Sequence, residues 1–160
     1  MRKFSEKNYR PCVGIVLIND GSIFAGQRLD YKSDAWQMPQ GGIEENESPI
    51  RAAIRELKEE TGIKKKHIKI ILESKNWINY DLPKELIPKL WNGKFVGQSQ
   101  KWFAMEFLGS DSDININTKN PEFSKWQWMT KNKLLDSIVP FKKRVYVNIL
   151  SQFSAQLNLK

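Results

Sequence analysis

Residues 48–62 (SPIRAAIRELKEETG) leave little choice of local structure. Ser48 suits a helix N-cap, Pro49 the first helical position and Gly62 the C-terminal stop, so the spacing predicts a helix over about Pro49 to Thr61. Ile50, Ala53, Ile54 and Leu57 recur at i, i+3, i+4 and i+7, giving one apolar stripe that needs a core to pack on. The polar face carries Glu56, Glu59 and Glu60 at i, i+3 and i+4, with the three carboxylates projecting within about 100° of one another. Like charges at that spacing weaken a helix by roughly 0.2–0.5 kcal/mol per pair. Arg55 reaches only Glu59 by the i+4 rule, so Glu56 and Glu60 are expected to repel. Two readings follow: a solvated acidic face, or a divalent cation held by several carboxylates.

The partner for the stripe is a sheet. Residues 11–18 (PCVGIVLI) are apolar and rich in β-branched side chains, as a buried strand requires. Asn19-Asp20-Gly21-Ser22 is a turn signal, and Ile23-Phe24-Ala25 supplies the returning strand of a hairpin. Residues 101–108 and 123–129 read as further strands, and a last helix is expected from about Phe141 to Leu157 with Val145, Ile149, Leu150 and Phe153 facing inward. Strands on both sides of an early helix, with another helix at the end, predict an α/β or α+β sandwich. No repeat, low-complexity tract or linker divides the 160 residues, which are read as a single domain.

Composition narrows the chemistry. One cysteine, Cys12, allows no internal disulfide and one histidine, His67, no multi-histidine site, so a bound metal is expected to have oxygen ligands: magnesium, manganese or calcium. Cys12, within an apolar strand, reads as a core residue, and His67, behind three lysines, as a surface or packing residue. No apolar run reaches bilayer length and no signal-peptide core follows Met1, so a reducing, cytoplasmic setting without membrane contact is expected. The net charge of +8 favours polyanionic partners. Its distribution is uneven: residues 41–63 carry six acids against three bases, and the other 137 carry 23 bases against 12 acids.

The loop before the helix, Trp36-Gln37-Met38-Pro39-Gln40-Gly41-Gly42, brings two glycines to where backbone can approach a metal or phosphate. From Gly41 the chain reads Glu47, Arg55-Glu56-Leu57, Glu59-Glu60 and Gly62-Ile63, the pattern G-x5-E-x7-R-E-U-x-E-E-x-G-U with U aliphatic. Residues 41–63 thus resemble the signature of the Nudix hydrolases. The resemblance implies a mixed β-sheet sandwiched between helices, with the signature as a loop–helix–loop, and metal-dependent hydrolysis of a nucleoside diphosphate linked to another group. It assigns Glu56, Glu59 and Glu60 to a divalent cation (Mg²⁺ or Mn²⁺), with the Gly41 carbonyl joining them. Arg55 would orient a carboxylate, and Glu47 would have a more structural role.

Further segments resemble the bacterial RNA pyrophosphohydrolases, also known as dinucleoside polyphosphate hydrolases, within that superfamily. They are Tyr9-Arg10-Pro11-x-Val13-Gly14, Asn76-Trp77-x-x-Tyr80-x-Leu82-Pro83, Gly97-Gln98-x-Gln100-Lys101-Trp102-Phe103, Pro121-Glu122-Phe123 with Trp126 and Trp128, and Phe141-Lys142 with Val145-Tyr146. The likeness implies Arg10, Arg28 and Lys142 as phosphate contacts and Tyr80 and Phe141 as base-stacking surfaces. Glu122 would be an additional carboxylate that ligates metal or rivals Glu56 as general base. Trp102, Trp126 and Trp128 sit in strand patterns and read as core, and Lys64-Lys65-Lys66 as a solvated turn, with a nucleic-acid patch as the alternative. Asp34-Ala35 before Trp36 departs from the likened enzymes, and Lys94-Phe95-Val96 aligns to no role. The expected reaction removes pyrophosphate from the 5′ end of triphosphorylated RNA. Hydrolysis of a dinucleoside polyphosphate such as diadenosine tetra- or pentaphosphate is the alternative. A nucleotide-pool sanitiser fits the signature but not the other segments, and a non-catalytic nucleotide- or RNA-binding module has no use for clustered carboxylates. No stable protein partner is expected.

Overall fold

The computed structural model describes residues 8–29 and 35–160; Asp34 lies outside them. Strand Tyr9–Asn19 (β1) is central. It runs parallel to β7 (Gly97–Phe107) from Tyr9 opposite Gly97 to Ile18 opposite Glu106. The other edge of β1 is shared. Its end turns through Asp20 and Gly21, both at positive φ, into β2 (Ser22–Arg28), and its start pairs with β4 (Gln40–Gly42). β2 in turn pairs with β3 (Trp36–Gln37) and β8 (Phe123–Met129), while β5 (Ile68–Glu73) and β6 (Ile78–Asp81) divide the far edge of β7. The result is one mixed sheet of eight strands.

Both faces of β1 are covered, which is why its sequence is an unbroken apolar run rather than an alternation. Val13, Ile15 and Leu17 pack with Phe103, Met105 and Phe107 beneath Ala52, Ala53 and Leu57 of α1 (Pro49–Thr61). Val16 and Ile18 face the opposite layer with Trp102, against Leu134 of α2 (Lys131–Ser137) and Val145, Tyr146, Ile149, Leu150 and Phe153 of α3 (Pro140–Ser154). This is the α+β sandwich expected from the order of elements. Trp102 is fully buried, and Trp126 and Trp128 are half-buried in an aromatic cluster with Phe24.

Helix α1 has the expected bounds and caps: Ser48 Oγ accepts from the Arg51 N–H, and Gly62 takes the left-handed conformation (φ 72°) as its N–H donates to Lys58 O. Three expectations are corrected. The last helix starts at Pro140 and ends at Ser154, not Leu157, because the tail turns back so that the Lys160 N–H donates to Gly21 O and Lys160 O accepts from Lys131 N–H. The strand expected over 101–108 spans Gly97–Phe107. The stretch read as a loop, 36–42, contains two short strands; pairing of Gln40–Gly42 with Cys12–Gly14 fixes both glycines against the sheet.

Candidate active site

Arg55 organises the carboxylate face of α1. Its Nε and Nη2 donate to the two oxygens of Glu47 at 2.8 Å each, Nη1 donates to Glu56 Oε1 at 2.8 Å and to Glu59 Oε2 at 3.2 Å, and Nη2 also donates to Gly42 O at 2.8 Å. The expectation that Arg55 reaches only Glu59 is therefore corrected. A planar guanidinium with five donors spans the helix face and the entry loop together, which spacing along one helix does not reveal. Glu47 also accepts from the Glu44 N–H and so ties the loop that leads into α1. The Arg55 fork is the main reason that the Glu47 carboxyl is held down at about 2 from the usual 4.5.

Glu56 and Glu60 experience the opposite balance. Burial pushes the Glu56 carboxyl up, with the Arg55 hydrogen bond and charge opposing. Glu60 is only 5% exposed; burial raises its carboxyl well above the usual range, and the Glu56 and Glu122 charges add to the shift. One Glu60 oxygen, Oε2, is buried without a hydrogen-bond partner. Gly41 lies against this group, and a Cβ there would overlap the Glu56 carboxylate. Among the described residues no three acidic, His or Cys side chains close on one point as a finished metal cage. The orphaned, desolvated Glu60 oxygen and the glycine hollow beside Glu56 nonetheless fit a hard divalent cation with oxygen ligands.

A cavity of about 1180 Å³ opens beside this face, and the structure brings every candidate residue to it: Arg10, Arg28, Gly41, Arg55, Glu56, Glu59, Glu60, Tyr80, Glu122, Phe141 and Lys142. Glu122, just before β8, is exposed at the rim. The Lys142 side chain is buried, its ammonium donating to Gln37 Oε1 at 3.1 Å, and Arg28 Nη1 reaches the same oxygen at 3.4 Å. Gln37 thus positions two cations. Arg10 lies 4.8 Å above the ring of Trp91, in the segment joining β6 to β7, and its guanidinium also lies beside Gly42. Tyr80 is buried with its ring 6.0 Å from that of Phe141, which remains half-open to the cavity. Cys12 is buried with Sγ 3.7 Å from Arg10 Nη1, and burial pushes its thiol up to about 11, so it supplies no thiolate nucleophile. His67 lies outside the cavity, its Nε2 3.9 Å from Asp113.

Sequence reasoning missed the roles of Gln37 and Gln40 and the apolar wall of Leu82, Leu86, Leu90 and Trp91. For the glutamines a signal existed. They flank the buried Met38 immediately before the signature, and Gln40 belongs to a chain in which Gln100 Nε2 reaches Gln40 Oε1 at 3.4 Å and Gln98 Oε1 at 2.9 Å. The wall gives no such signal, because it comes from irregular turns.

The NUDIX domain model matches residues 8–149. The chain is 54% identical over 150 residues to an RNA pyrophosphohydrolase of Roseobacter denitrificans, covering 93% of this chain and 94% of that protein. It is 52% identical over 160 residues to an RNA pyrophosphohydrolase of Rickettsia canadensis, covering 97% and 98%. Its fold resembles the E. coli dihydroneopterin triphosphate pyrophosphohydrolase (TM-score 0.70, 20% identity, 94% of this chain and all of the other). It also resembles a C. elegans Ap4A hydrolase (TM-score 0.66, 21% identity, 92% and 99%). A matched domain over most of the chain, relatives at half identity over nearly their full length, and a glutamate–arginine helix face beside a basic cavity have one reading: the chain belongs to the Nudix family of hydrolases.

Proposed function

We propose that this hydrolase removes pyrophosphate from the 5′ end of triphosphorylated RNA and leaves a 5′-monophosphate. The observation that carries the reading is the division of one cavity into two chemistries. Carboxylates and the Arg55 fork lie on the α1 side; Arg10, Arg28 and Lys142 stand near an apolar wall that includes Phe141 and Trp91. The relatives named RNA pyrophosphohydrolase support the same substrate.

A phosphoanhydride is inert because its charged oxygens repel an incoming water, so catalysis is chiefly charge compensation and positioning. A divalent cation such as Mg²⁺ or Mn²⁺, held by Glu56, Glu59, Glu60, Gly41 O and Glu122, would offset phosphate charge and lower the pKa of water. Arg10, Arg28 and Lys142 bind the phosphate oxygens; Gln37 holds the latter two in place. Glu56, fixed by Arg55 and raised by burial, takes the proton from the attacking water, with Glu122 as the rival base. Phe141, backed by Tyr80, offers a flat surface to an unstacked base. No helix among the described residues is long and apolar enough to cross a membrane. We place the enzyme in the cytoplasm, as a single domain without a stable protein partner.

The test offers purified protein equal concentrations of triphosphorylated RNA and diadenosine tetraphosphate with Mg²⁺ and compares kcat/KM. Preference for RNA, with pyrophosphate released, is expected. A preference for the dinucleotide of about tenfold or more, 1.4 kcal/mol in transition-state binding, assigns the cavity to soluble dinucleoside polyphosphates instead.

A further inference from the structure

A second cavity, of about 650 Å³, lies on the outer side of α1 and the turn after it. Arg51, Lys58, Lys64, Lys65 and Lys66 line it together with Arg55 and Ile54, and no carboxylate does. Arg55 and Lys58 line the catalytic cavity as well, so the two adjoin across these side chains. Arg55 is committed to Glu47, Glu56 and Glu59. The other five cations are exposed, and among the described residues none of them is held in an ion pair. Lys58, in the last turn, already meets the negative end of the helix dipole. Three consecutive lysines beyond Gly62 add mutual repulsion that a polyanion would relieve.

We infer that this groove carries the phosphate backbone of the RNA downstream of the 5′ end held in the catalytic cavity. The inference rests on the proposed action on RNA ends. A track that leaves the reacting site and continues along five exposed cations suits a substrate that extends past its reactive phosphates, which a dinucleoside polyphosphate does not. Ile54 and the aliphatic stems give the track an apolar floor, and a lysine meets a phosphate oxygen whatever the base, so contact there is independent of sequence.

The experiment compares a triphosphorylated dinucleotide with an unstructured triphosphorylated RNA of about twelve nucleotides, within the range single-strand sites cover. Both are assayed with the wild type and with K64A/K65A/K66A, at several salt concentrations. The wild type should prefer the longer RNA. The variant should lose roughly fivefold or more on it, with a salt slope shallower by about 2 because three phosphate contacts at about 0.7 each are gone. Its rate on the dinucleotide and its Tm should be unchanged. Unaltered turnover and salt slope on the long RNA, or equal losses on both lengths, would overturn the groove. If the wild type cleaves neither RNA yet cleaves diadenosine tetraphosphate, the RNA reading itself fails and the groove with it.

Discussion

Arg55→Ala tests whether one guanidinium holds the entry loop and the carboxylate face together. The wild-type side chain satisfies Glu47 on both oxygens, Glu56 on one, and the Gly42 carbonyl, at 2.8 Å throughout. The side chains of Glu47 and Glu56 are 14% and 13% exposed, so water replaces little of what is lost, whereas Glu59 at 56% is solvated and its bond counts for little. Removing one member of a largely covered ion network costs about 3–5 kcal/mol. For a chain of this length each kcal/mol moves Tm by about 2–4 °C, so the variant should melt roughly 6–20 °C lower at neutral pH in the presence of a chelator. Arg55→Lys keeps the charge but not the fork and should recover less than half of the loss.

The pH dependence checks the origin of that loss. Glu47 titrates at about 2 when folded and ordinarily at 4.5, so its contribution is fully present above the ordinary value and disappears as pH falls toward 2. The gap in Tm between wild type and Arg55→Ala, followed by circular dichroism, should therefore narrow as pH falls from about 5 toward 2. A neutral-pH gap below about 3 °C, or one that does not narrow in acid, would refute the assignment of this stability to the Glu47–Arg55 pair.

Gly41→Ala places a methyl group on the Glu56 carboxylate and should lower kcat by ~10² or more with little change in folding, checked by steady-state kinetics beside circular dichroism. Glu60→Gln removes a desolvated carboxylate whose folded titration point is raised, so that charge destabilises the metal-free protein as pH rises through that point. The variant should melt higher than wild type in chelator at alkaline pH and lose the rise in Tm that Mg²⁺ gives the wild type. Tyr146→Phe leaves the buried Met38 N–H without its acceptor, now 2.8 Å away, and should cost about 1–3 kcal/mol by denaturant unfolding. Phe141→Ala should cost about 1–3 kcal/mol in kcat/KM on RNA if a base stacks there, with Mg²⁺ affinity unchanged.

What could be read from residues alone was what depends on local rules. Ser48, Pro49 and Gly62 bracket α1 because caps act within a turn, and the β1–β2 hairpin follows from Asp20-Gly21 at positive φ. The site residues outside the signature were reached through resemblance, since nothing local links Arg10, Tyr80, Glu122 and Lys142; β1, β6, β8 and α3 bring them to one cavity. The reach of Arg55 was illegible for the same reason. Its pairing with Glu47 spans eight residues and a helix N-terminus, and the contact to Gly42 O exists only because β4 is paired to β1. Short elements such as β3, β4 and α2 carry too few residues for a period to emerge. Asn92-Gly93 announces a turn, but the positive φ of Trp91 before it has no signal in its residue type.

The acidic face and the lysine turn share one physical logic. Each concentrates like charge on a short stretch of chain, and each lies where an oppositely charged reactant would offset the repulsion. The folded protein relieves the first cluster only in part: Arg55 compensates Glu47, Glu56 and Glu59, while Glu60 keeps an unpartnered oxygen in a buried place. It leaves the second exposed. A helix selected for stability alone would interleave Glu with Lys at i+4 spacing. That α1 instead gathers Glu56, Glu59 and Glu60 at one cavity, while Arg51 and the turn lysines line the adjoining one, is the sequence-level mark of a site built around cation and polyanion together, with the unliganded protein bearing the electrostatic cost.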